Sequence, residues 1–73
     1  MSAPTNGIAA AGRLLEAGKE REALQMLHEL LGATHDSTLR HEIHLLAERA
    51  HESSHGFHKI EWHRLMIETE SGS

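Results

Sequence analysis

Eight of the 73 residues are histidine, and six of them fall between His41 and His63. On a helix turning about 100° per residue, with Leu39 as origin, His41, His44, Glu48 and His51 lie at about 200°, 140°, 180° and 120°. A helix continuing further adds His55 and His58 at about 160° and 100°. Side chains three or four residues apart on a helix are neighbours, so an imidazole and a carboxylate in this stripe can share a metal ion. Glu48-x-x-His51 and Glu52-x-x-His55 also carry the Glu-x-x-His spacing of carboxylate-bridged di-iron bundles. One helix supplies two or three ligands, too few for a closed tetrahedral site. The candidate set His44, Glu48, His51 and His55 therefore needs a second helix or a two-fold copy to hold Zn, Ni, Cu or Fe.

The chain has no Cys, so thiolate sites, disulfides and thiol catalysis are excluded. His41-Glu42-Ile43-His44 sets its histidines three apart, where the zinc-protease pattern needs four. Ser residues sit mostly in termini and caps, and neither a Gly-rich phosphate loop nor a nucleophile elbow is present. The expectation is a non-enzymatic protein with no cofactor, the divalent transition metal being the alternative.

The elements that must position these residues follow from composition. Ten Leu, ten Glu, nine Ala and five Arg, with no Val or Tyr and a single Pro, specify an all-α domain. Gly18, the Gly32 to Asp36 stretch, and Ser53-Ser54-His55-Gly56 divide it into four helical segments. These run from about Gly7 to Ala17, Lys19 to Leu31, Asp36 or Ser37 to Glu52, and Gly56 to Thr69. Gly32 suits the left-handed position after a helix, and Asp36 or Ser37 is a good N-cap. Residues 1–6 are expected to be disordered, 7–70 to form one domain and 71–73 to be a flexible tail.

In the third segment Leu39, Ile43, Leu46 and Ala50 form an apolar stripe opposite the histidines. The same residues continue through Ser53, Phe57, Ile60, Arg64 and Ile67 with heptad spacing, the alternative being one long coiled-coil helix. Ser53, Gly56 and Arg64 weaken that seam and favour a break. In the fourth segment Phe57, Ile60 and Ile67 share one side, while Trp62 and Met66 lie nearly opposite with Leu65 between. Trp62, Leu65 and Met66, together with Leu45 on the third segment, are the apolar residues hardest to place in a single core. They are the expected docking patch, with Trp62 as anchor and Met66 as adaptable filler.

Ala11-x-x-Leu14-x-x-x-Gly18-x-x-x-x-Ala23-x-x-x-Leu27-x-x-Leu30 resembles the small-and-large spacing of one tetratricopeptide repeat. The resemblance covers about Gly7 to Leu31 and implies a three- or four-helix, tetratricopeptide-like stack of helical hairpins that binds peptides or protein surfaces. Displaced by about 34 residues, a second copy would place Phe57 where the family has Ala, so the spacing occurs once.

Seven Lys plus Arg against eleven Asp plus Glu give a formal charge of −4, without the clustered cations that nucleic acid requires. With all eight histidines protonated the charge becomes +4, so charge-dependent contacts should respond to mild acid. No apolar run approaches the roughly 20 residues of a membrane span, and the N-terminus lacks a signal-peptide pattern. These features together predict a cytoplasmic interaction module or accessory subunit. Its partner is expected to be another protein or a second copy in a homodimer, with a pH-sensitive His-rich rim.

Overall fold

Three breaks in an otherwise helix-forming chain produce four helices in the computed structural model, which describes residues 4–71. They are α1 (Pro4–Glu16), α2 (Glu20–Ala33), α3 (Ser37–Ser53) and α4 (Gly56–Ser71). Among the described residues there is no strand, and no helix is long and apolar enough to cross a membrane. The expected all-α bundle is the fold. Helix α1 starts three residues ahead of Gly7, with Pro4 at its first position, where a fixed φ and a missing N–H suit a helix start. Of the termini expected to be disordered, residues 1–3 and 72–73 lie outside the described residues. Residues 4–6 and 71 are helical in backbone.

Each break has a local cause. At the end of α1 the Gly18 N–H donates to Leu15 O at 3.0 Å and the Lys19 N–H to Leu14 O at 2.8 Å. This paired closure puts Gly18 at φ +82°, a conformation that costs a residue without Cβ little. Gly32 does not end α2, contrary to expectation; the helix runs past it to Ala33 and stops at Thr34, whose backbone is extended. Polar side chains make this stop: the Asp36 N–H donates to Thr34 Oγ1, and Asp36 Oδ1 in turn accepts from the Thr38 N–H, capping α3. Ser54 and His55 separate α3 from α4, with Gly56 at φ +61°, so the continuous coiled-coil helix is not formed.

Helices α1 and α2 pack as one antiparallel hairpin and α3 and α4 as another; α1 then lies against α3, and α2 against α4. The result is a two-layer slab of 32 × 27 × 15 Å. Ala11, Ala23, Ala47 and Ala50 are buried and let the helix backbones approach closely, while Leu27, Ile43, Trp62 and Leu65 fill the space between layers. At Gly7 a Cβ would come within 2.8 Å of Leu30 Cδ1, so α1 crosses α2 there at glycine distance.

The orientation of α4 corrects the sequence reading. Trp62 and Leu65 are both 0% exposed and Met66 is half-buried, so three of the four residues assigned to an outward patch belong to the core side. Phe57, Ile60 and Ile67 face outward instead, at 68%, 59% and 49% exposure. The reason is Arg64, which falls in the middle of the Phe57/Ile60/Ile67 face. Turning that face inward would bury a guanidinium without a partner, whereas the Trp62/Leu65 face carries no charge at its centre.

Candidate functional site

The histidine stripe of α3 does not stand free in solvent, because α4 packs along one flank of it. His44 and His51 are half-buried in the α3–α4 seam, whereas His41 and Glu48 are exposed. His55 is exposed in the linker, taken off the helical row by the break at Ser54. The proposed metal set His44, Glu48, His51 and His55 is therefore not brought together. Among the described residues no three His, Asp or Glu side chains converge as they stand.

Within the seam the histidines have defined neighbours. His44 Nδ1 lies 2.8 Å from Thr69 Oγ1, and its Nε2 lies 3.9 Å from Glu70 Oε2. The Thr69 hydroxyl donates to Met66 O at 2.6 Å. One helical stretch further along, the rings of His51 and His63 are 5.7 Å apart and tilted by 41°. The His51 carbonyl accepts from Lys59 Nζ at 3.0 Å.

Among the described residues three ion-pair geometries join histidine to glutamate, and each has one partner on α4. Besides His44 with Glu70, His28 Nδ1 on α2 is 3.6 Å from Glu68, and His58 Nδ1 is 3.9 Å from Glu20 at the start of α2. Arg40 Nη2 donates to the Glu68 carbonyl at 3.1 Å, and the buried Ser54 hydroxyl donates to the Glu20 carboxylate. Sequence reasoning missed these latches, since partners such as Ser54 and Glu20 are 34 residues apart and meet only once the hairpins stack.

Open clefts flank the core among the described residues. One, of about 580 Å³, lies between α1 and α3, with Leu15, Glu16, Leu46 and Arg49 on its walls. Another, of about 490 Å³, lies where the start of α3 meets the end of α4 and is lined by His35, Arg40, His41, His44 and Glu70 among others. Of the expected docking residues only Leu45 is exposed, at 44%, and it projects from α3 rather than α4. The exposed apolar side chains that do share a helix are Phe57, Ile60 and Ile67, whose mutual spacing was visible in the sequence although their direction was not. Compared with protein-family models, curated proteins and solved structures, the chain matches none.

Proposed function

We propose that this chain is a non-enzymatic protein-interaction module that associates through the outward face of α4. What supports the reading most is that Phe57, Ile60 and Ile67 are all exposed at i, i+3 and i+10 on one helix, with Arg64 at i+7. A helix that presents anchors in this spacing is suited to lie against another apolar helix or groove. Exposed aromatic and branched side chains in such a row are what an association surface offers. The tetratricopeptide-like spacing of Gly7 to Leu31 is in keeping with this use, and the module is proposed to work in the cytoplasm.

A second copy is the partner the face itself fits. If two α4 helices meet antiparallel about a two-fold axis at the level of residue 62, Phe57 lies over Ile67 of the other copy. Arg64 then lies over Ile60, with its guanidinium near Glu61. Such a contact is isologous and places opposite charges at the edge of the apolar row. Molar mass measured by light scattering over a concentration series tests this. A dimer should form, and Phe57→Ser with Ile60→Ser should raise its dissociation constant about tenfold or more, since burying each such side chain contributes about 1.5–3 kcal/mol. Helix content should be unchanged, because neither side chain is in the core. A chain that stays monomeric at all accessible concentrations would refute the association.

A further inference from the structure

Lys59, Glu68 and Glu70 on α4 already have partners. Lys59 Nζ donates to the His51 carbonyl, Glu68 faces His28 and Glu70 faces His44. Among the described residues Glu61 and Arg64 make no hydrogen bond or ion pair, although they stand three apart on one helix, where opposite charges are neighbours. Arg64 is exposed and falls in the middle of the Phe57/Ile60/Ile67 row, and Glu61 is half-buried beside it. The outward face of α4 thus carries one unspent cation and one unspent anion.

Apolar contact alone does not choose an orientation for two α4 helices, because burial is non-directional. Charge does. With Ile60 at 0° and about 100° per residue, Arg64 falls at about 40°, Phe57 at about 60° and Glu61 at about 100°, all on one flank of the face. A two-fold axis crossing the helices at residue 62 brings that flank of each copy against the same flank of the other. Residues equally far from 62 on opposite sides then share a level, so residue 64 meets residue 60. Arg64 stands within about 1.5 Å, measured along the axis, of Glu61 of the second copy, and the pair occurs twice. In a parallel arrangement each residue meets itself, Arg64 against Arg64 and Glu61 against Glu61, and both contacts repel.

Resting on the association proposed above, we infer that Arg64 and Glu61 are the residues that determine its specificity. Two reciprocal Arg64–Glu61 pairs select the antiparallel arrangement. With it they select a second copy of this chain over an apolar helix that lacks the complementary charges. The apolar row supplies adhesion, and the charge pairs supply orientation.

Light scattering of the full chain over a concentration series reads the dimer dissociation constant. Arg64→Glu and Glu61→Arg should each raise it about tenfold, since each turns two attractive contacts into repulsive ones. The double variant Arg64→Glu with Glu61→Arg should return it to within about threefold of the parent. An equimolar mixture of the two single variants should associate about as tightly as the parent, because both contacts are again complementary between unlike copies. Arg64→Gln tests the opposite role, a guanidinium that keeps copies apart; it should weaken association about threefold. Circular dichroism checks that the variants stay helical, as neither residue belongs to the buried core. A parent chain that stays monomeric would overturn the pairing together with the association. A parent that dimerises, with reversals that move the constant less than about twofold or a double variant no better than the singles, would overturn the pairing alone. Tighter association of Arg64→Gln would do the same.

Discussion

Trp62 is the residue on which the corrected orientation of α4 turns, and replacing it by alanine gives the sharpest test. The ring is fully buried in the cluster that includes Leu27, Ile43 and Leu65. Truncating a buried aromatic to Ala costs about 3–5 kcal/mol. At about 0.05–0.15 kcal/mol per residue, a chain of 73 residues has about 4–11 kcal/mol to lose, so Trp62→Ala should give up between about a quarter and all of that stability. A second variant separates packing from polarity. Trp62 Nε1 is buried with no hydrogen-bond partner, and such an unmet donor costs about 1–3 kcal/mol. Trp62→Phe removes that donor while giving up about 40 Å³ of side chain, worth about 1 kcal/mol as a cavity, so its net effect should stay within about 1–2 kcal/mol of the parent in either direction. Urea unfolding followed by far-ultraviolet circular dichroism measures both, since the signal does not depend on the tryptophan. If the Ala variant lost less than about 1 kcal/mol, Trp62 would not be core and the outward patch would have to be restored. If the Phe variant were as damaged as the Ala variant, the unmet N–H would not be a liability.

Two further outcomes follow from local geometry. Gly32→Ala, at an exposed helical position with nothing within 4 Å of a new Cβ, should stabilise by about 0.5–1 kcal/mol, whereas Gly18→Ala, at φ +82°, should destabilise by about 1 kcal/mol or more in the same urea experiment. Ser54→Ala removes the buried hydroxyl that ties the α3–α4 turn to Glu20; it should cost about 1–2 kcal/mol, and thermal melts should show the loss.

The helix breaks were legible because their causes are local. Gly18, Asp36 and Gly56 act through their own backbone or a cap two residues away, and the sequence displays them directly. Gly32 was misread because a glycine inside an exposed helix turn looks the same in sequence as one that ends it; the deciding hydrogen bonds belong to Thr34 and Asp36. The direction of α4 was ambiguous since both of its sides are apolar. Arg64 decides between them, and its weight emerges only when one asks which face can be buried without stranding a charge. The pairing of His44 with Thr69 and Glu70 lies further out of reach. It depends on the register of two helices whose contacting residues are 25 positions apart, and no spacing rule within α3 encodes that register.

The hairpin-by-hairpin construction also has a kinetic consequence. Each helix takes as its main partner its immediate neighbour along the chain, across turns of only two or three residues. Closing such short loops costs little chain entropy, and topologies dominated by near-neighbour contacts fold in roughly microseconds to milliseconds. Either hairpin can therefore nucleate without waiting for the other. What must come last is the docking of one onto the other, which brings Glu20 to Ser54 and His28 to Glu68. The joint between the hairpins is thus the step at which the molecule commits to its native state. It is also the line along which a partial opening would begin.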